Sequence, residues 1–324
     1  RESIPLPDRQ LGMATPPTSD SAAGFELICD TAEAEPPLRA WLEGMQLQWP
    51  GRFRINVKVG NTNPFGPDDR EIFRQPSCTI QAGPGVDNVR LTWELAPAIA
   101  IVHPTEPEAE LWLSPAALRQ IADAERSFLL IVLVFILRRL GWYHVHAAAL
   151  IDPMGRGWLI AGNSHCGKST TTALLATRGW KVGTDDIGFL GWSGDRVSLM
   201  GVRGRIALRP GGAALLGAKG GLVMDRRNKE GFLPEELGSS WAPVVAPEIL
   251  AFPNIGAQTA MTASSPRETL SSIVKLSHWV LYESVHAQEY LDVLGAVARQ
   301  SRCFALTLGP DLFDEPDLLK DLVP

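Results

Sequence analysis

Closely spaced cysteines are missing from this chain. The four it has, Cys29, Cys78, Cys166 and Cys303, stand far apart, with neither CxxC nor Cys/His ligand spacing. That excludes a zinc knuckle and a disulfide framework as the organising principle, and makes the reducing cytoplasm the expected compartment. Positive charge is not in excess either: 30 Lys and Arg stand against 36 Asp and Glu, a formal net charge of −6. Nucleic acid and an anionic membrane, which both select basic surfaces, are therefore not expected as main partners. Long hydrophobic runs are absent too. The longest, Phe128 to Leu137, is closed by Arg138-Arg139; it is too short to span a bilayer and reads as a buried helix. Arg1-Glu2-Ser3 do not open the charged, apolar, small-residue order of a signal peptide.

What is present is enough apolar material for a large core: 324 residues, 45% of them hydrophobic and 20% charged, which predicts a globular protein. Residues 1–22, rich in Pro, Ser, Thr and Asp, read as a flexible arm. From 23 to 110 short apolar stretches such as Phe25-Glu26-Leu27-Ile28, Phe53-Arg54-Ile55-Asn56-Val57 and Val89-Arg90-Leu91-Thr92-Trp93 are separated by Pro, Gly and Asn. That rhythm predicts a smaller β-rich domain, with Trp41, Trp49 and Trp93 mostly in its core. Ser114-Pro115 offers a cap and a first-turn proline for a helical pattern running from Ala116 to about Leu140.

From 111 to 324 the chain reads as a second, larger domain of mixed α/β character. Strands are expected at Val145–Ile151, Gly157–Ala161, Trp180–Thr184, Ile187–Trp192 and Arg196–Met200, the last two joined by a Ser193-Gly194-Asp195 turn. This is a mixed sheet with hairpins rather than a regular parallel alternation. Gly211 to Ser240, with its cluster Asp225-Arg226-Arg227-Asn228-Lys229-Glu230, is expected to be a long mobile loop. A helix over Glu283–Arg299 and a strand over Cys303–Leu308 close the pattern.

Between the expected strand Gly157–Ala161 and the helical run Thr170–Arg178 stands Gly162-Asn163-Ser164-His165-Cys166-Gly167-Lys168-Ser169, a complete GxxxxGKS sequence followed by Thr170. In that context main-chain amides and a helix N-terminus wrap a polyphosphate, Lys168 reaches its outer phosphates, and the Ser169 hydroxyl can ligate Mg²⁺. Asp185 and Asp186 end the next strand, where one carboxylate can hold the metal and the other accept a hydroxyl proton. His144 and His146 alternate on a strand and are expected on the same side; His146 is the candidate for the phosphate site. Arg205 and Arg209, with Arg203 nearby, are candidates to contact phosphate or an acidic substrate, an edge strand with basic residues being the plainer alternative. Cys166 lies where amides and Lys168 would favour a thiolate, although an incidental loop residue explains it as well.

His146-Ala147-Ala148-Ala149-Leu150-Ile151-Asp152, Gly162 to Ser169, and Arg178-Gly179-Trp180-Lys181-Val182-Gly183-Thr184-Asp185-Asp186 together resemble the HPr kinase/phosphorylase group, with the loop-to-Asp spacing unbroken. The resemblance implies a phosphoenolpyruvate-carboxykinase-like P-loop fold, with His146 in the catalytic neighbourhood, Asp185 as proton acceptor and Asp186 linked to the metal. The chain departs from that pattern at Thr170, where the group usually carries Glu, and at His165, where it carries a small residue. It is more similar to the HPr-kinase-like proteins that serve modified peptides, including lasso-peptide precursor kinases. The function this implies is an ATP- and Mg²⁺-dependent kinase acting on a Ser or Thr hydroxyl of a peptide or small protein. A kinase for a small metabolite and a non-catalytic nucleotide-binding module remain as alternatives, and homo-oligomerisation is left open.

Overall fold

The structure is a computed structural model that describes residues 24–60, 70–75, 78–82, 89–93, 97–121, 127–217, 221–224, 229–315 and 317–323. The arm expected over 1–22 lies outside them.

Alternation builds the first sheet. Strands β1 (Gly24–Cys29), β2 (Arg52–Val59), β3 (Arg70–Gln75), β4 (Cys78–Ala82), β5 (Val89–Trp93), β6 (Ala98–Val102) and β7 (Glu108–Leu113) form seven strands in the order β1-β2-β7-β6-β5-β4-β3. Phe53, Ile55 and Val57 of β2, Leu91 and Trp93 of β5 and Leu111 and Leu113 of β7 turn inward. The intervening residues carry ion pairs such as Arg54–Glu26 and Lys58–Glu110 on the other face. Helix α1 (Glu35–Gly44) buries Leu38 and Leu42. The last strand ends at Leu113, so the sheet runs a little past the boundary at 110.

Ser114 caps the next helix as its sequence suggests, its hydroxyl accepting from the Ala117 amide at 3.0 Å. The single helical stretch expected over 116–140 is two helices, α2 (Pro115–Ile121) and α3 (Ser127–Arg139), with 122–126 outside the described residues. Helix α3 is buried from Phe128 to Leu137 as anticipated, apart from the half-buried Leu130, because it is packed between β5, β6 and β7 on one side and β8 (Tyr143–Ile151) on the other. Trp93 stacks on Phe128, with centroids 5.7 Å apart and planes 8° from parallel.

The second sheet has nine strands. β8 and β9 (Gly157–Ala161) lie at its centre, with β10 (Lys181–Thr184), β11 (Ile187–Ser193), β12 (Arg196–Gly201), β16 (Val244–Val245), β17 (Pro247–Ile255), β18 (Ala260–Ala263) and β19 (Arg302–Leu308) around them. Its main path runs β16-β12-β11-β8-β9-β17-β19-β18; β9, β17 and β19 are mutually parallel, and β8, β11 and β12 antiparallel. β9 is apolar throughout because both faces are covered. Leu159 and Ala161 join the core shared with α3 and α7 (Ala287–Gln300), whereas Trp158 and Ile160 join the core under α4 (Lys168–Ala176).

The expected long loop over 211–240 is instead largely structured. It contains α5 (Pro210–Leu215), β14 (Leu222–Met224), β15 (Lys229–Phe232) and a 3₁₀ turn at Pro234–Leu237, and with β13 (Ile206–Leu208) its strands form a three-stranded sheet. Of its charged cluster, 225–228 lie outside the described residues. The chain is mixed α/β, and among the described residues no helix is long and apolar enough to cross a membrane.

Candidate phosphate-binding site

The loop 162–169 leaves the end of β9 and enters α4. Backbone of left-handed φ at His165 (72°) and Gly167 (95°) alternates with ordinary backbone at Ser164 and Cys166. Left-handed backbone alternating with ordinary backbone is the pattern of an anion-binding nest, and here it stands at the start of a helix. Gly167 suits that conformation for lack of a Cβ; His165 adopts it at a steric disadvantage. Asn163, Ser164 and His165 are exposed at the tip, whereas Lys168 is 5% exposed. Neighbouring parallel strands frame the loop. A Cβ on Gly162 would stand 3.2 Å from the ring of Pro253 in β17, and one on Gly167 3.0 Å from Leu308 of β19. These two apolar supports carry no motif, and topology alone brings them here.

Lys168 is held by four contacts. Its Nζ donates to the carbonyls of Gly162 (2.6 Å) and Asn163 (3.0 Å), stands 3.9 Å from Cys166 Sγ and lies 2.9 Å from His146 Nε2. An ammonium only donates, so Nε2 of His146 accepts and the ring proton sits on Nδ1. That nitrogen faces Asp186 Oδ1 at 3.1 Å. Lys168, His146 and Asp186 thus form one line of contacts. His144, expected on the same side, has different surroundings: it is buried in edge-on contact with Phe189 and Trp279.

The two aspartates owe their position to a break in strand pairing. β10 pairs with β8 at Ile151, Leu150 and Ala149, and β11 resumes on the same strand at His146. Asp185 and Asp186 fill the interval, with the Ala147 amide donating to Asp186 O at 3.2 Å. The Thr184 hydroxyl ties the break, reaching Ile187 O at 2.9 Å and accepting from the Asp186 amide at 3.4 Å. Close backbone contact completes it: a Cβ on Gly201 would fall 2.2 Å from Gly183 O, so β12 needs glycine there.

The neighbours then differ sharply. Asp186 has a 58% exposed side chain, whereas Asp185 is buried. Burial, with the Asp186 charge adding to it, pushes the Asp185 carboxyl up to about 6 against the opposing hydrogen bonds from the Ser169 hydroxyl and the Ala207 amide and the charge of Lys168. Its Oδ1 is buried without a hydrogen-bond partner among the described residues. The Ser169 hydroxyl and the Asp186 carboxylate are hard-oxygen donors of the kind Mg²⁺ takes, its shell otherwise completed by phosphate and water. No group of three His, Cys, Asp or Glu among the described residues is disposed to hold a metal by itself.

The arginines divide. Arg209, the residue before α5, places Nη2 3.0 Å from His165 Nδ1, and α5 leans on α4, since a Cβ on Gly212 would lie 3.3 Å from Thr170 Oγ1. Arg205 is committed elsewhere, to Glu236 Oε2 (2.8 Å) and Gly231 O (3.0 Å). Arg203 lies over Trp241 at 6.0 Å. A separate cavity of about 400 Å³, lined by Arg178, Leu318, Asp314, Glu315, Asp317 and Asp321, lies at the opposite end of α4 from the loop. It contains none of the groups assembled above.

No family model matches the chain, and no curated protein matches it. Among solved structures it is similar to the Hpr(Ser) kinase/phosphatase from Coxiella burnetii, with 13% sequence identity and a TM-score of 0.28 over 56% of this chain and 93% of that one. A likeness of that degree assigns no family.

Proposed function

We infer that the chain transfers the terminal phosphoryl group of ATP, with Mg²⁺, to a hydroxyl. The observation that supports this most is Asp185: a buried carboxyl raised to about 6 and hydrogen-bonded by the serine of a GxxxxGKS loop. At neutral pH such a group is ionised yet more basic than an ordinary carboxylate, the property wanted of a general base. In the proposed reaction the acceptor oxygen bonds to the terminal phosphorus, the bond from that phosphorus to the ADP oxygen breaks, and the acceptor proton passes to the Asp185 carboxylate. The loop amides and Lys168 hold the phosphates, and His146 orients Lys168 and Asp186. Ser169 and Asp186 would hold Mg²⁺, which neutralises phosphate charge when bound.

The acceptor is proposed to be a Ser or Thr of a peptide or small protein, on the strength of the chain's overall similarity to the HPr-kinase-like proteins that serve modified peptides. Incubation of the full chain with γ-labelled ATP, Mg²⁺ and Ser/Thr peptides, with small polyols in parallel, tests this. Label on peptide that disappears in Lys168→Ala is the expected result. Label on polyol alone would move the chain to metabolite kinases, and nucleotide binding without any transfer would leave a binding module.

A further inference from the structure

An arginine with no carboxylate partner among the described residues stands at the lip of the loop. Arg205, four residues earlier, is neutralised by Glu236 at 2.8 Å; Arg209 is not comparably paired. Among the described residues its guanidinium has one partner, the His165 ring, with Nη2 3.0 Å from Nδ1 and 3.4 Å from Nε2. With one Nη2 that close to both ring nitrogens, the guanidinium lies over the face of the ring rather than in line with either lone pair, and it keeps its full positive charge. The partner is not a random surface group. His165 belongs to the nest, and its left-handed backbone (φ 72°) is one a β-carbon disfavours; a glycine would relieve it, yet the ring there is what Arg209 touches. The contact is also anchored from below, because Arg209 directly precedes α5 and α5 rests against Thr170 in the first turn of α4.

Two cations therefore bracket the nest. Lys168 is buried at its floor, and Arg209 is exposed at its rim. We propose that Arg209 binds the terminal phosphate of the bound nucleoside triphosphate, with His165 as the residue that positions it. The proposal rests on the phosphotransfer reading and adds to it a device for telling a triphosphate from a diphosphate. A planar fork of donors suits a phosphate's oxygens better than a point charge does, and Arg209 is exposed enough to exchange the ring for the anion.

Calorimetry of the full chain with Mg·ATP and with Mg·ADP decides it. Arg209→Gln is expected to weaken ATP binding about tenfold or more, the scale of a lost charge-assisted hydrogen bond, while ADP affinity stays within roughly twofold, since the group contacted is absent from ADP. Arg209→Lys should recover only part of the loss. His165→Asn, which tolerates left-handed backbone, should weaken ATP binding by a smaller factor, and combining it with Arg209→Gln should add nothing further. Equal losses for ATP and ADP would show that the pair merely supports the loop, and unchanged ATP affinity would show that Arg209 does not reach the phosphate; either overturns the proposal. Failure of the unaltered chain to bind either nucleotide would refute the phosphotransfer reading itself, and the proposal with it.

Discussion

At the residue scale the role proposed for Asp185 runs against stability. Its carboxyl titrates near 6 in the folded chain and near 3.8 when unfolded, so between those values the folded state binds more protons and stability from this group falls as pH rises. Asp185→Asn is therefore expected to raise stability at pH 8, by up to roughly 3 kcal/mol, while slowing transfer on the order of a hundredfold or more. Denaturant titration and single-turnover transfer measure the two effects. The transfer rate of the unaltered chain should fall as pH drops through about 6, and a rate flat across that range would remove Asp185 as the base. His146 carries a second expectation. Its contacts require the Nδ1–H form, which nitrogen-15 NMR of the ring reports directly; an Nε2–H tautomer at neutral pH would contradict the Lys168 contact.

Elements differ in how far the sequence discloses them. β8, β9, β11, β12 and α4 stand almost where apolar runs and turn residues put them, because each has enough periodicity, or a Gly such as Gly194 at φ 66°, to mark its limits. The strands β14 and β15 are three and four residues long among glycines and charges, too short for alternation to register. The loop and the aspartate pair were legible for the same reason as the long strands, being local. Arg205 was not, because its partner Glu236 comes from a 3₁₀ turn 31 residues away. Helix α3 ends on another contact invisible to local pattern. Arg139 grips both carboxylate oxygens of Glu283, with Nη1–Oε2 at 2.7 Å, and donates to His103 O at 2.8 Å, while Arg138 donates to the carbonyls of Trp279, Glu283 and Val285. These side chains are at most 2% exposed. Glu283→Gln leaves two buried guanidiniums without their anion and is expected to destabilise the chain by about 3–5 kcal/mol in urea unfolding. Glu35→Gln, breaking the exposed pair with Arg39, should leave the urea midpoint nearly unchanged, since solvent screens such a pair; similar losses for the two would deny the buried cluster its importance.

For the whole molecule the relevant fact is that one core runs through both large sheets. Residues from Phe53, Leu91 and Trp93 to Val145, Leu159 and Leu294 belong to a single buried cluster, with α3 as its middle layer. Phe73 of the first sheet meets Tyr282 at 4.8 Å between ring centroids, and Arg139 bonds to both His103 and Glu283. Segments far apart in sequence thus close the same core. We expect the described body to unfold in one calorimetric transition, and residues 114–324 expressed alone to fail to fold; two separable transitions would establish independent domains instead.

The hydrogen bonds of Lys168 bear on kinetics. Its ammonium is engaged by the Gly162 and Asn163 carbonyls and by His146, so a polyphosphate bound there as proposed would have to exchange those partners for its own oxygens. Measured affinity is then the difference between two sets of bonds, diminished by the fraction of time the lysine spends turned toward the ligand. Entry becomes a two-step process, with diffusion to the rim followed by rearrangement within the loop. In stopped-flow mixing the observed rate should level off at high nucleotide concentration, and replacing His146, which removes one of the restraining bonds, should raise that plateau.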